Sequence, residues 1–381
     1  MKQNYLFVFL LSLLCAVSAL AQEGGATREI TLTEAGTLSQ QIPESEYATL
    51  QHLTLKGDIY QRDIVFIRKK LTELQSLDLT ETKILRGERV VGSGTYFPAD
   101  TLADYALENM LKLQSVKLPK GLKAIGMKAF HNTALTEIEI PEGVTFLGGY
   151  AFAFCKALKK ATVPGSVKMI ENYAFLGCVA LEEVSLGEGM TMIGGDMFND
   201  CKSLPKIQLP STIERLGGQA FKGCIQFTEL TIPAACTKVG AQLLRDCPAL
   251  KTLTSLAKTA PEASPKSFYP EQYEQIELRI PAEALESYQD SPIWSLFKTT
   301  HDLEGKPIPL SIETPHGVAT PTACWQDGYL HIAHATGLTI AIYDTTGQLL
   351  LQDTPAEVIA SYPLPQGLYI IKTPYGALRT L

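Results

Sequence analysis

Five cysteines stand in register along the middle of this chain, Cys155, Cys178, Cys201, Cys224 and Cys247, each 23 residues from the next. A thiol that returns so regularly can ligate a metal, form disulfides or fill space. A tetrahedral metal site needs ligands that converge from several directions, commonly as C-x-x-C pairs, and a column is a line. Disulfides fit no better: stacked rungs ~4.8 Å apart hold their side chains parallel, beyond the ~3.5 to 4.5 Å between β-carbons that a bridge spans. The column therefore predicts small apolar fillers at a turn. Asn132 takes the matching place one unit earlier when units are aligned on their leading leucine. Cys236 and Cys324 lie off the column, and pairing between them stays open.

Other residue patterns that could carry chemistry dissolve on inspection. His331 and His334 are spaced H-x-x-H, but an offset of three on a strand puts them on opposite faces. "DTTG" at Asp344 sits between two apolar runs and reads as a hairpin turn, not a protease motif. No G-x-S-x-G, H-E-x-x-H or G-x-x-x-x-G-K-[ST] occurs. The expectation is a protein that is not an enzyme, with no catalytic, cofactor-binding or metal-binding residues. A formal net charge of -7 argues against nucleic acid, whose phosphates call for clustered Lys and Arg.

The elements that place the cysteines come from an internal repeat. "LTEIEIPEGVTFLGGYAFAFCKA" from Leu135 is followed without a gap by four more 23-residue units, from Leu158, Leu181, Leu204 and Phe227. Looser units begin at Leu50, Leu74 and Leu113. Within a unit, "LTEIEIP" alternates apolar and polar residues, so Ile138 and Ile140 face inward on a short strand and Pro141 ends it; Pro164, Pro210 and Pro233 do the same for their units. Stacking gives a buried column of Phe152, Phe175, Phe198 and Phe221, closed by Leu244. On the exposed side of the strands the column reads Glu137, Lys160, Glu183, Lys206, Glu229, with opposite charge at every rung. That alternation predicts a self-neutralising surface.

The ends and one interruption complete the layout. Lys2, the apolar run Tyr5 to Leu14 and Ala19-Leu20-Ala21 read as a secretory signal peptide, residues 1–21. No later apolar run is long enough to span a bilayer. Residues 22–49 are expected to cap the first rung, and "IELRIPAEALESYQDSPIWSLF" to close the last one, with Tyr288, Trp294 and Phe297 over the core. Leu74 to Leu113 exceeds the period, and the surplus in "RGERVVGSGTYFPADT" makes Tyr96 and Phe97 the candidate partner-binding loop. After "EGKPIP", a linker over 304–310, "GLTIAIYDTTGQLLL" and "YPLPQGLYIIKT" predict a small all-β, sandwich-like domain over 311–381.

The units, written L-x-x-V-x-L-P, then I-G, then A-F-x-x-C, resemble the BspA-like leucine-rich repeats of bacterial surface proteins over residues 50–303. The chain departs from the common leucine-rich repeat, since Cys155 precedes the next strand, at Leu158, instead of following one. "IYDTTGQLLL" and "PLPQGLYIIKT" resemble the carboxy-terminal sorting domain of the type IX (Por) secretion system. The first resemblance implies a right-handed solenoid on a bacterial cell surface, or secreted from the cell, with adhesion to host or matrix proteins as its usual role. The second implies an export machinery as a further partner. A passive envelope spacer is the alternative.

Overall fold

The computed structural model describes residues 25–87, 98–308, 322–326, 329–333, 338–355, 359–364, 369–373 and 376–379. The alternation of apolar and polar residues produces parallel strands of three to ten residues along one side, one for each unit except that of residues 204–210. The first sheet runs β1 (Ala26–Leu32), β2 (Leu50–Ile59), β3 (Ser76–Ile84) and β5 (Ser115–Lys117). The strand face continues as β7 (Glu137–Glu139), β9 (Lys160–Val163) and β11 (Glu183–Leu186). It resumes with β14 (Glu229–Ile232), β16 (Thr252–Ser255), β17 (Glu277–Ile280) and β18 (Thr299–Asp302). A second ladder of two-residue strands lies on another side: β4 (Thr101–Leu102), β6 (Ala124–Ile125), β8 (Phe146–Leu147) and β10 (Met169–Ile170), then β12 (Met192–Ile193), β13 (Arg215–Leu216) and β15 (Lys238–Val239). These parallel stacks, with few short helices, are those of a leucine-rich repeat solenoid.

The third side of each unit is a pair of tight turns, tied to the next unit by its backbone. The amides of Phe130 and Phe152 donate to Ala151 and Ala174 at 2.8 Å. Each full turn segment holds two residues in the left-handed region, such as Tyr150 at φ 58° and Phe154 at φ 59°. Gly177 and Gly223 fill the second of these places without steric cost in their units. The side chains inside form continuous columns, and the rings of Phe130, Phe152, Phe175, Phe198 and Phe221 stack at 5.1 to 5.7 Å. All five rings are fully buried in one file, which removes a large aromatic surface from water.

One expected strand does not form. Residues 204–210 have the strand pattern, and Ile207 and Leu209 are buried, but the segment joins no sheet. Pro205 is the cause. In the neighbouring units the residue at this place donates its amide to the unit before, as Lys159 does to Thr136 (2.8 Å) and Glu182 to Lys159 (2.9 Å), and proline has no hydrogen to give.

The first rungs are covered by the helix Gln61–Lys70, whose Ile64 and Ile67 are buried. Its buried Asp63 is fully engaged, accepting amides from Gly36, Leu38 and Tyr60 at 2.8 to 3.1 Å. At the far end Tyr288, Phe268, Trp294 and Phe297 lie buried over the last rungs, with the Trp294 indole donating to Pro261 O (2.7 Å) and the Tyr288 hydroxyl to Ser255 (2.7 Å). β18 adds one more parallel rung beyond β17. Residues 302–308 then turn back on it, Ile308 donating to Thr300 O at 2.9 Å.

The carboxy-terminal strands pair antiparallel in two sheets, Thr322–Gln326, Tyr329–Ala333 and Ile359–Tyr362 in one, and Leu349–Asp353, Ile340–Tyr343, Ile370–Thr373 and Gly376–Arg379 in the other. Leu330, Ile332, Ile340, Ile342 and Ile371 form their common core, so this is a small β domain. Among the described residues no helix is long and apolar enough to cross a membrane.

Candidate functional site

The charged column lies on the open side of the strands, and its register puts Glu137, Lys160 and Glu183 side by side on adjacent rungs. Lys160 meets Glu183 at 2.8 Å and Lys206 meets Glu229 at 3.5 Å, all four well exposed. The hydrogen bond that Lys160 donates to Glu183 first, and the charge of Glu183 second, raise the Lys160 ammonium above its ordinary pKa. Between the pairs the ion pairing is interrupted, because Lys206 lies in the unpaired segment 204–210, and no ion pair joins it to Glu183 among the described residues. The second polar column, Glu139, Thr162, Ser185, Gln208 and Thr231, completes the face. Two larger depressions mark it, one of about 580 Å³ around Val116, Glu137, Glu139 and Lys160, the other of about 530 Å³ around Lys206, Gln208, Glu229 and Thr231, with a smaller one of about 250 Å³ at Ser185 and Gln208.

The insertion leaves and re-enters the solenoid at one rung. Leu85 donates to Ile59 O and Asp100 to Ile84 O, both at 2.8 Å, so its two stems are fixed against the strand side of the first units. Tyr96 and Phe97, like residues 1–21 with the expected signal peptide, lie outside the described residues.

The cysteine column is buried and free of disulfides, as is Cys236. It does more than fill space. Cys155 Sγ reaches Phe130 O (3.1 Å), Cys178 reaches Phe152 O (3.2 Å), and the same contact recurs at Cys201, Cys224 and Cys247 (3.4, 3.2 and 3.0 Å). Each thiol thus donates to the phenylalanine carbonyl one unit back. Burial raises the thiol of Cys155 to about 11 and that of Cys247 to about 12, which keeps them protonated donors. The alignment with Asn132 is corrected here: Thr133 precedes Cys155 in the column, its hydroxyl on Phe130 O (3.0 Å) and 3.2 Å from Cys155 Sγ. Asn132 instead sits at φ 56°, the left-handed place that Phe154 takes one unit later.

The turn edge carries aromatic residues that the sequence reading did not single out. Lys128 lies over the rings of Tyr105 and Tyr150, 5.7 Å from each, and Tyr150 stacks on Tyr173 at 4.5 Å. Phe154 is 38% exposed and packs edge-on against His131. The 23-residue recurrence of Tyr150 and Tyr173 was the available signal. His331 accepts or donates one bond with Ser361 (2.8 Å), and His334 lies outside the described residues. Asp344 caps the turn of its hairpin by accepting from Thr346 (2.8 Å) and Gln348 (3.0 Å). No three His, Cys, Asp or Glu side chains among the described residues are grouped to hold a metal.

At the end of the solenoid the β domain makes contact. Lys372 bonds the Asp290 carboxylate at 2.8 Å and Ile370 is buried against the solenoid core. A cavity of about 370 Å³ remains between them, lined by Phe268, Tyr269, Tyr273, Leu296, Thr345 and Ile370.

Among solved structures, a leucine-rich repeat protein from Bacteroides ovatus is 22% identical with a TM-score of 0.40, over 59% of this chain and 60% of that one. A leucine rich cell surface protein from Faecalibacterium prausnitzii is 19% identical at a TM-score of 0.28, over 61% and 88%. The pneumococcal vaccine antigen PcpA is 16% identical at a TM-score of 0.34, over 70% and 86%. The chain thus spans about 60% of the length of the first of these. No curated protein matches it. The BspA type leucine rich repeat region matches in six copies over residues 100–226 and 191–295, more than half of the chain. The recurring strand, two-residue strand and Phe-x-x-Cys turn are therefore those of the BspA type leucine rich repeat family, to which this chain belongs.

Proposed function

We propose that the protein is an exported bacterial surface protein, without enzymatic activity, whose solenoid binds an extracellular host or matrix protein. The observation that carries this reading is the family itself together with the relief of its strand face, depressions of about 580 and 530 Å³. Neither column of that face offers Trp, Tyr or Arg, the residues that dominate binding hot spots. Tyr96 and Phe97, on stems fixed beside the first rungs, are the anchors of tight contact, and the Glu137, Lys160, Glu183, Lys206, Glu229 column is mainly structural. Residues 1–21 address the chain for export and residues 311–381 sort it through a type IX machinery.

The test is binding of the purified protein to an array of host extracellular proteins, followed by two variants on any saturable partner. Tyr96→Ala with Phe97→Ala should abolish binding, and Lys160→Glu should leave it nearly unchanged; the reverse outcome removes the assignment of the loop. The paired charges favour a second reading, a passive spacer, which predicts no saturable partner at all. For sorting, a chain lacking residues 311–381 should stay in the periplasm of a host with the machinery.

A further inference from the structure

Each unit is tied to the next by three backbone ladders: the strand face, the two-residue strands and the turns. Around the unit Leu181 to Ser203 two of the three are open, one on each side. Toward the preceding unit it is the two-residue ladder. Gly148, Glu171, Gly217 and Gly240 each donate their amide to the equivalent carbonyl one unit back at 2.8 to 2.9 Å, and Gly194 has no such bond among the described residues. The packing opens with it. A β-carbon added at Gly148, Gly217 or Gly240 would lie 2.3 to 2.5 Å from the backbone one unit back, whereas at Gly194 the nearest atom is 3.1 Å away. Meanwhile the strand end is pinched, since a β-carbon at Gly187 would fall 2.1 Å from Gly165 N. The unit is tilted against its neighbour, close on one side and splayed on the other.

Toward the following unit the strand face is open, through Pro205. The splay on the near side also has a sequence cause. Glu171 occupies the place held by Gly126, Gly148, Gly194, Gly217 and Gly240 in other units, a place where the backbones of most neighbouring units press close. It keeps its own ladder bond to Leu147 O (2.9 Å), and the gap lies on its far side, against Gly194. The turn ladder runs unbroken through both junctions, with Phe175 donating to Met197 O (3.0 Å) and Phe198 to Ala220 O (2.9 Å).

We propose that the unit Leu181 to Ser203 is a joint at which the solenoid bends about its continuous turn edge, Glu171 and Pro205 being the residues that create it. The first depression lies before the joint and the second, which reaches back only to Glu188, lies mainly beyond it, so bending changes their mutual orientation without unstacking the phenylalanines. Deformation is cheapest where ladder bonds are already absent.

The measurement is electron-spin distance between nitroxides carried on p-acetylphenylalanine replacing Glu137 and Thr252, five rungs apart across the joint, in the full chain. The expected distribution is broad, and in Glu171→Gly with Pro205→Thr it should narrow by at least half. In parallel, the amides of Gly194 and Ile207 should exchange hydrogen at least tenfold faster than those of Gly217 and Leu230, a difference that the double variant removes. An equally narrow distribution in both proteins, or exchange at Gly194 as slow as at Gly217, overturns the joint. Should the double variant not fold, a narrow distribution in the unaltered chain still overturns it.

Discussion

Cys178 donates its thiol hydrogen to the carbonyl of Phe152 across the boundary between two units, at 3.2 Å. The same carbonyl already accepts the amide of Cys155 in its own unit (3.2 Å), so the thiol satisfies a second lone pair. This changes what a substitution should do. A filler would make serine worse than alanine, through a stranded hydroxyl. With an acceptor waiting, Cys178→Ser should fall within about 1 kcal/mol of Cys178→Ala, each costing about 1 to 2 kcal/mol in urea unfolding. Serine losing far more than alanine would show that the bond is not formed.

The thiols also set an alkaline limit. Their folded-state pKa lies above that of the unfolded chain, near 9, reaching about 11 at Cys155 and about 12 at Cys247. Above pH 9 the unfolded state loses protons that the folded state keeps, so stability is full below that pH and declines as pH rises through the folded values. Urea midpoints at pH 8 and pH 10 should differ accordingly, and Cys178→Ala should flatten the slope by up to about 1.4 kcal/mol per pH unit. Native thiols should label slowly, and denatured ones fast.

Gly177 stands at φ 70° with the Phe154 ring upon it, where an added β-carbon would lie 2.7 Å from Cδ1. Gly177→Ala should cost about 1 to 3 kcal/mol, measured by chemical unfolding. Combining it with Phe154→Ala should recover the steric part and leave the backbone part.

Reversing Lys160 places three negative charges on adjacent rungs. Lys160→Glu should lower the thermal midpoint slightly, by an amount that shrinks as salt is added, because these groups face solvent. A loss insensitive to salt would mean that the side chain's packing, not its charge, is at work.

Removing residues 311–381 should leave a cooperative solenoid, since its core columns do not run through the β domain. It should also uncover the apolar wall at Phe268, Tyr273 and Leu296, so the shortened chain should bind a hydrophobic dye that the full chain does not.

Periodicity made most of this fold legible. The 23-residue step located the phenylalanine and cysteine columns and the charges on the strand face, because each unit repeats the same burial. What it missed were departures by single residues. Pro205 looked like one more variable position, yet its missing hydrogen deletes a strand. Thr133 was hidden because its unit is one residue shorter, which shifted an alignment made on leucines. The thiol bonds and the Tyr105–Lys128–Tyr150 contact depend on side chains from adjacent units meeting, and no single unit reveals that.

The charge column gives the solenoid a parity. Excising the unit Leu158 to Ala180 would join Ala157 to Leu181 and preserve every column of the interior, with Cys201 below Phe152. It would, however, set Glu183 beside Glu137. Excising two units, Leu158 to Ser203, would instead bring Lys206 beside Glu137, opposite charge restored. The interior counts rungs singly and the surface counts them in pairs, so lengths that differ by two units are the ones that fit both.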